Sequence, residues 1–463
     1  MRGPETVWLP DRQMDVLLTL AARAGQLVSK ETLAETVWRD VAVTDNSIVQ
    51  AVSGLRQALG DAPDGPGYIQ THVRQGYRFS APVEQVQDGT TSASLDALLN
   101  GYRAFVDGRA ALETLDRPGV ARARQAFEEA LRVEPGFAAA HIGLGHAFLL
   151  AFEATRVDAA PDSYLLSRAS QHAREGCLLH PWSGDAWSIL ALVRHRCGEW
   201  REALAAGRKA TTLEPDDWRH LIRLAVVSWG EERLRAARRA CDLCPDLALG
   251  HWFAATVFVA RQRLDRALEE LRAGCAAQDG LQAARLAGGD VPPRFPAAGL
   301  HWLRGLVLAA SGDEEAALEA FAQELTFEDA AHIYAREAAA NSWYATGAVY
   351  LRQGRLDEAN AAFGQTLARV PTHAIAAACL GRHQQAGPVV TAADRGLEAV
   401  LARAATLTLG GNPEAAAAFV HCALPQALPT SAGWALPVDP VLRPLEHRSA
   451  WAPVLSELRA RGL

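Results

Sequence analysis

Small and amide side chains line one side of a segment, residues 45–59, that the sequence predicts to be helical. Apolar residues at helical spacing predict the buried stripe of this helix: Ile48, Val52, Leu55 and Leu59. The opposite face carries Asn46, Ser47, Gln50, Ser53, Gly54 and Gln57. Amide side chains can form two hydrogen bonds to adenine, and a serine hydroxyl can bond several bases. This face therefore has the chemistry to read base edges in a major groove. The alternative is an ordinary solvated polar helix face.

A β-hairpin pattern follows this helix and brings basic side chains with it. The strands are predicted at Tyr68–Val73 and Tyr77–Phe79, with the turn at residues 74–76. His72, Arg74 and Arg78 lie in the hairpin, where they could contact phosphate or the minor groove. The hairpin could equally be purely structural.

Two further helices precede the polar one. The first is predicted over Asp11–Ala24, ending at Gly25. Ser29 is a candidate N-cap for a second helix over Lys30–Trp38, and Thr44 is a candidate N-cap for the helix that begins at Asp45.

This order of elements resembles the winged helix-turn-helix domain of the OmpR/PhoB response-regulator family, and more closely the variant in CadC-like and ToxR-like regulators. The matching blocks are residues 25–31, 37–38, 43–48, 55–61 and 76–79. The resemblance covers about residues 5–83 and implies DNA binding. It also implies that Arg56 occupies the position that holds the DNA backbone phosphate in the family.

Two features depart from what such a domain usually shows. Residues 1–83 contain eight Arg or Lys and nine Asp or Glu, so the segment is nearly neutral, whereas DNA-binding domains are usually basic. Gly54 stands where many relatives carry arginine. Both features predict modest affinity for a single copy and binding as a dimer or an array.

The segment ahead of the first helix is short compared with the family pattern. Relatives carry a small antiparallel sheet there, whereas residues 5–9 leave room for a single strand before Pro10. We therefore expect the apolar side chains of the first and third helices, including Leu17, Leu20 and Leu55, to be less covered by this segment. Either the true start codon lies upstream, or the repeat array or a second copy covers the exposed face.

The rest of the chain contains a helical repeat of about 34 residues, as between Pro181 and Pro215. The clearest copy is Trp343, Gly347, Tyr350, Gly354, Ala359, Phe363 and Pro371. This pattern resembles the tetratricopeptide repeat, with about seven units between residues 95 and 381 and a final capping helix near residues 451–462. The sequence thus predicts a mainly α protein: a small winged helix-turn-helix domain at 1–83, a linker at 84–93, and an α-solenoid of tetratricopeptide helix pairs at 94–463.

The repeat register also predicts which side chains line the groove of the array. They are His146, His195, Arg219, Trp229, Trp252, Trp302, Asn341 and Tyr344. Trp and Tyr on such a face often anchor a peptide or an apolar ligand. The alternative for each residue is packing between repeats.

The composition of the chain and the motifs that it lacks limit the functional classes to which the protein can belong. The chain has 463 residues, a net charge of −7 and seven cysteines. It shows no run of 18 apolar residues, no secretory signal, and none of the usual phosphate-binding, metal-binding or nucleophile motifs. We therefore expect a cytoplasmic protein without catalytic residues, cofactor or bound metal. Two lysines against 44 arginines are typical of a GC-rich bacterial coding sequence.

These observations favour a one-component transcriptional regulator. Its winged helix would bind double-stranded DNA, and its array would bind a protein or small molecule or associate with a second copy, as in a homodimer. The alternatives are a protein–protein scaffold whose winged helix does not bind DNA, and a SARP-like activator, which joins the same two modules. The operator, the effector and the sign of regulation stay open.

Overall fold

The computed structural model describes residues 11–37, 45–60, 67–72, 75–81, 83, 104–286, 296–328, 332–381, 394–427 and 432–463. The chain forms two compact units. One contains Met1–Asn100 and His180–Ser183, and the other contains Gly101–Leu179 and Gly184–Leu463. The linker predicted at 84–93 lies outside the described residues and stays a prediction.

The N-terminal unit combines three helices with a small sheet. Its elements are α1 (Asp11–Ala21), β1 (Leu27–Ser29), α2 (Lys30–Val37), α3 (Asp45–Leu59), β2 (Ile69–His72) and β3 (Gly76–Phe79). The sheet is antiparallel in the order β1-β3-β2, with Val28 opposite Tyr77 and Gln70 opposite Arg78. The predicted hairpin is confirmed, and β1 is a third strand that the sequence pattern did not indicate.

Two local contacts explain why this segment folds as it does. The hydroxyl oxygen of Ser29 accepts a hydrogen bond from the Thr32 amide at 3.1 Å, so Ser29 is the N-cap of α2. Gly76 has a φ of +141°, and a Cβ there would lie 2.0 Å from the carbonyl oxygen of Val28. Only glycine permits this approach, which lets β1 join the hairpin. Thr44 and Trp38 lie outside the described residues.

The core of this unit is better covered than the sequence led us to expect. Each of the six elements contributes at least one side chain to a single buried cluster. Its members are Val16, Leu20, Val28, Leu33, Val37, Ile48, Ala51, Val52, Leu55, Ile69, Tyr77 and Phe79. Leu20 and Leu55 have no exposed surface, whereas Leu17 is half-buried. The expectation of reduced cover was wrong for Leu20 and Leu55, and the strand predicted at residues 5–9 lies outside the described residues.

The second unit is a stack of antiparallel helices. The helices are α4 (104–113), α5 (Arg117–Val133), α6 (Ala138–Thr155), α7 (Ser163–Leu179), α8 (Gly184–Arg196), α9 (Trp200–Leu213), α10 (Trp218–Val227), α11 (Gly230–Leu243), α12 (Ala248–Ala260), α13 (Leu264–Leu286), α14 (Leu300–Ala310), α15 (Glu314–Leu325), α16 (Ala335–Arg352), α17 (Leu356–Arg369), α18 (Ala374–Cys379), α19 (Asp394–Leu409) and α20 (Pro413–Ala423). Short 3₁₀ turns cover Leu424–Gln426 and Ala432–Val438, and α21 spans Arg448–Gly462.

A glycine facing a phenylalanine recurs within these helix pairs. A Cβ at Gly305 of α14 would lie 2.4 Å from the Phe321 ring of α15, and one at Gly347 of α16 would lie 2.9 Å from the Phe363 ring of α17. The two helices of a pair therefore approach closely only because the first carries glycine. Helices α4 to α17 form seven consecutive pairs, which confirms an α-solenoid of tetratricopeptide type.

The helix predicted to cap the array near residues 451–462 is α21, which packs on α20 and also reaches back to α11 and α12. We call residues 432–463 the return segment. Its 3₁₀ turn packs on α12 and α14. Arg261 donates to the carbonyl oxygen of Gly462 at 2.8 Å, and Gln262 donates to that of Leu455 at 2.7 Å. The return segment therefore folds back over α12 and α14, the first helices of two pairs. The face formed by the first helices of the pairs is the inner face of the array.

Within the described residues, none of the helices combines the length and the apolar character that crossing a bilayer requires.

Candidate DNA interface and inner face of the array

The exposed side of α3 carries neutral hydrogen-bonding groups. Ile48, Val52 and Leu55 point into the core, as their spacing predicts. Gln50, Ser53 and Gln57 are exposed, and Ser47 is half-buried. Val49 adds an apolar contact surface that is 45% exposed. Amide, hydroxyl and methyl groups can all contact base edges in a major groove.

Gly54 and Asn46 were also predicted on the exposed face of α3. A Cβ at Gly54 would lie 2.3 Å from Nε2 of Gln13 on α1. Gly54 therefore faces α1 rather than the exposed side, which corrects the sequence assignment, and any side chain there would displace Gln13. Asn46 belongs to α3, but its side chain lies outside the described residues.

Arg56 connects α3 to the hairpin. Its Nε and Nη2 donate to the carbonyl oxygen of Ile69 at 3.2 and 2.8 Å, and Nη2 also donates to the Thr71 hydroxyl at 2.7 Å. Its phosphate-contact role stays a prediction, but these bonds give Arg56 a positioning role that the sequence did not reveal. Among the residues that the structure describes, Nε and Nη2 of Arg56 thus both donate to the hairpin.

The hairpin presents His72 and Arg78 on the side of the sheet away from Tyr77 and Phe79. Strand alternation and the Gln70–Arg78 pairing place both residues there, because Tyr77 and Phe79 enter the core. Nε2 of His72 and Nε of Arg78 have no hydrogen-bond partner in the part of the chain that the structure describes. Arg74 lies outside the described residues.

Three of the predicted groove residues come together around the return segment. Trp252 and Trp302 both contact the ring of Trp434, and the Tyr344 hydroxyl donates to Asp439 at 3.1 and 3.3 Å. Tyr344 is almost fully buried in the adjoining apolar cluster. In this chain the side chains of Trp252, Trp302 and Tyr344 are therefore occupied by residues of the return segment.

The other predicted groove residues are engaged elsewhere in the array. Arg219 is buried and pairs with Glu113, with Nη2 2.6 Å from Oε1. Trp229 is half-buried, with the guanidinium of Arg233 4.4 Å from its ring centroid. For these two residues packing within the array is the better description. Asn341 is half-buried, and its place in the groove stays a prediction.

Two histidines of the inner face are held neutral. Burial, followed by the nearby Arg223, lowers the pKa of His146 to about 3. Burial, with Arg196 and Arg233, lowers the pKa of His195 to about 4. Both effects disfavour the imidazolium, because the surroundings are apolar and already positively charged.

An ionic cluster around the buried Glu153 on the inner face was missed by sequence reasoning. Glu153 of α6 pairs with Arg156 and Arg196 and accepts a hydrogen bond from the Tyr334 hydroxyl at 3.2 Å. Burial opposes ionisation of Glu153, but the two arginines outweigh it and lower its pKa. Arg156 also pairs with Glu337, so the cluster joins α6, α8 and the start of α16. No local pattern connects these residues, because they are up to 184 positions apart.

One group among the described residues has metal-ligand composition. Ligand atoms of Glu214, Asp217 and His220 lie within 4.8 Å of one another. Their acceptors are already used: Glu214 accepts the Gly184 amide at 2.7 Å and bonds His220 at 3.0 Å, while Asp217 accepts the Arg219 amide at 2.9 Å. The bonds to the Gly184 and Arg219 amides cap the N-termini of helices α8 and α10, which gives the group a structural role.

The N-terminal geometry, three helices with a hairpin fixed to the polar third helix, defines a winged helix-turn-helix domain. Residues 4–79 match the family model described as "Transcriptional regulatory protein, C terminal". The N-terminal unit is thus a domain of the OmpR/PhoB type, homologous to those of several bacterial regulators.

The relatives share only this part of the chain. The regulator HilA of Salmonella typhimurium is 37% identical over 83 residues, which are 18% of this chain and 15% of HilA. The cholera toxin transcriptional activator of Vibrio cholerae is 35% identical over 86 residues, 18% of this chain and 29% of that protein. CadC of Escherichia coli is 34% identical over 83 residues, 18% of this chain and 16% of CadC. The chain therefore matches less than a third of the length of these relatives.

Solved structures similar to the array include the Cut9–Hcn1 assembly of the APC/C, at a TM-score of 0.43 and 16% identity over 57% of this chain and 48% of that one. A tetratricopeptide repeat protein from Parabacteroides merdae has a TM-score of 0.40 and 13% identity, over 63% of this chain and 99% of its own.

Proposed function

We propose that the protein is a one-component transcriptional regulator of the bacterial cytoplasm. The observation that supports this proposal most strongly is the exposed face of α3. It presents Gln50, Ser53 and Gln57, in a domain that matches a family of transcriptional regulatory proteins. These side chains reach base edges when α3 lies in a major groove, and the hairpin with His72, Arg74 and Arg78 contacts the backbone or the minor groove.

The charge of residues 1–83 is nearly neutral, which affects how strongly a single copy would bind DNA. With eight basic and nine acidic residues in 1–83, non-specific attraction to phosphate is weak. Affinity then depends on a second copy binding an adjacent half-site, so we propose that the regulator acts as a homodimer on its operator. The array supplies the association or receives the protein or small molecule that controls it.

The test is genome-wide DNA pull-down with the full-length protein, followed by binding to the recovered duplexes. Gln50→Ala lowers the enrichment of these duplexes over random DNA if α3 reads them. Gln323→Ala, the same change at an exposed glutamine of α15, leaves enrichment unchanged. If no sequence is enriched by the wild-type chain, the proposal fails.

The second candidate function is a scaffold whose winged helix does not bind DNA. The same charge balance favours it, because a protein-binding winged helix needs no positive field. In that case the pull-down yields proteins but no preferred DNA.

A further inference from the structure

A thiol, an imidazole and a carboxylate come together where α11, α12 and α13 pack on one another. Cys241 lies in the last turn of α11, His251 in the first turn of α12, and Glu270 in the second turn of α13. Nδ1 of His251 and a carboxylate oxygen of Glu270 are 2.9 Å apart, and the imidazole also forms a hydrogen bond with the Cys241 side chain. His251 therefore connects the thiol to the carboxylate.

Two glycines let these side chains approach one another. A Cβ at Gly250 would lie 2.4 Å from Sγ of Cys241, and a Cβ at Gly274 would lie 3.0 Å from Cβ of His251. A larger residue at Gly250 would displace the sulfur, so α12 can bring His251 to the thiol only because the preceding residue is glycine.

The arrangement is a relay rather than a metal site. A metal requires ligand atoms that converge, and among the residues that the structure describes only the group around Glu214 gathers three of them within 4.8 Å. Cys241 and Glu270 instead each contact His251. A thiol beside an imidazole that a third group orients is the arrangement used to activate a nucleophile.

His251 is held protonated, unlike the two histidines described above. Its hydrogen bonds with Cys241 and Glu270 outweigh burial and raise the pKa of His251 to about 9. Burial opposes ionisation of Glu270, but His251 and Arg238 outweigh it and lower the pKa of Glu270. Arg238 lies 3.0 Å from that carboxylate. At neutral pH the imidazolium can therefore give a proton to an atom that gains negative charge beside the sulfur.

Cys241 is partly accessible, which distinguishes it from a second thiol that lies beside a histidine. Sγ of Cys275 is 3.6 Å from Nδ1 of His301, but both of these side chains are buried. Burial raises the pKa of the Cys275 thiol to about 11 and lowers the pKa of His301. A buried neutral thiol is unreactive, whereas a small reagent can reach the half-buried Cys241 from solvent.

We propose that Cys241 is a modification site for hydroperoxides, with His251 as the proton donor and Glu270 as a positioning residue. The Cys241 thiol releases its proton to water, and the thiolate sulfur attacks one oxygen of hydrogen peroxide. An S–O bond forms as the O–O bond breaks, and the leaving hydroxide takes the proton of His251 to become water. The sulfur is oxidised by two electrons to a sulfenic acid, and the peroxide is reduced by the same two electrons. This inference does not depend on the proposed function.

The test treats the full-length chain with hydrogen peroxide and traps sulfenic acids with dimedone, and mass spectrometry follows each cysteine separately. The background variant is Cys244→Ser, because a thiol three residues away would consume the sulfenic acid. Cys241 is labelled at least about tenfold faster than the exposed Cys422, because only Cys241 has the proton donor of the relay. Accessibility alone predicts the opposite order.

Replacing the proton donor separates its chemical role from a structural one. In His251→Gln, labelling of Cys241 falls at least about tenfold, whereas His447→Gln, at another half-buried histidine, leaves the rate unchanged. With His251 present the rate declines above about pH 9, where the imidazolium loses its proton, and in His251→Gln the rate rises steadily with pH. Glu270→Gln lowers the rate and Glu270→Asp restores most of it, as expected of a positioning residue.

Two results overturn the proposal. One is labelling of Cys241 that is no faster than labelling of Cys422, and the other is an unchanged rate and pH profile in a folded His251→Gln protein. Thermal unfolding shows whether each variant is folded. Should His251→Gln fail to fold, the comparison with Cys422 and the decline above about pH 9 in the background variant decide. Because no DNA is used, a negative result leaves the DNA-binding proposal intact.

Discussion

The guanidinium of Arg56, in the last turn of α3, donates to the carbonyl oxygen of Ile69 in β2 at 2.8 Å. The same nitrogen, Nη2, also donates to the Thr71 hydroxyl at 2.7 Å, and Nε donates to the Ile69 carbonyl oxygen at 3.2 Å. The polar helix and the hairpin are thus fixed to each other by one side chain. A planar fork with several donors is required for this, which a lysine cannot supply.

Substituting this arginine should therefore loosen the domain as well as weaken DNA binding. Arg56→Lys keeps the charge but loses the fork, and should lower the unfolding free energy of the N-terminal unit by about 1–3 kcal/mol. Affinity for operator and for random DNA should fall alike, since both need the hairpin in place. Thermal unfolding and anisotropy on the full chain measure the two effects. Arg266→Lys, at an exposed position of α13, is the control. Unchanged stability in Arg56→Lys would contradict this role.

Gln50 should control specificity rather than general affinity. Loss of one bidentate base contact costs about 1–3 kcal/mol of discrimination. Gln50→Ala should thus reduce the preference for operator over random DNA by that amount and leave random-DNA binding unchanged. Competition binding with both duplexes checks this, with Gln323→Ala as the control. Equal losses on both duplexes would show that Gln50 contacts only the backbone.

The local sequence pattern predicted most helices and strands of the N-terminal unit. It did not predict contacts between residues that are far apart in the sequence. The bounds of α3 were predicted to the residue, because its apolar stripe and its ends are encoded within 15 positions. Strand β1 was missed since three residues, Leu27–Ser29, are too few to show alternation. Its pairing depends on Gly76, which lies 48 positions after Val28.

The same limit applies to the array. The repeat register could single out Trp252 and Trp302 as candidate groove residues, because helical spacing is local. Their occupant, Trp434, lies more than 130 positions away in a segment without periodicity. The return segment and the Glu153 cluster could therefore not be predicted from spacing alone.

Phe363 should be essential to the stability of the array. It is fully buried against Gly347, where no side chain can compensate for a lost ring. Phe363→Ala should lower the unfolding free energy by about 3–5 kcal/mol. Urea denaturation followed by circular dichroism measures the loss. Phe419→Ala, whose ring is 45% exposed, should cost far less. Similar losses for the two variants would mean that Phe363 is not a packing centre.

Mild acid should destabilise the array through its neutral histidines. His195 has a pKa of about 4 in the folded chain, and an unfolded histidine has about 6.5. Because the pKa of His195 is lower in the folded chain, this residue contributes stability that is fully present above pH 6.5. That stability is lost as the pH falls from 6.5 through the folded-state pKa of about 4. The loss by pH 4 should reach about 2–3 kcal/mol for this residue. His195→Gln should flatten the decline in urea midpoints between pH 7 and pH 4, whereas an equally steep decline in the variant would exclude His195 as a source.

The central claim is that α3 reads DNA, and its most direct measurement is the salt dependence of binding by the full-length chain to a pulled-down duplex and to its shuffled sequence. We predict that log K falls linearly with log salt for both, by about 0.9 for each phosphate contacted. The pulled-down duplex should remain preferred over the shuffled one at every salt concentration, and Gln50→Ala should reduce that preference by about 1–3 kcal/mol. No binding, or equal affinity for the two duplexes throughout, would contradict the claim and favour the scaffold.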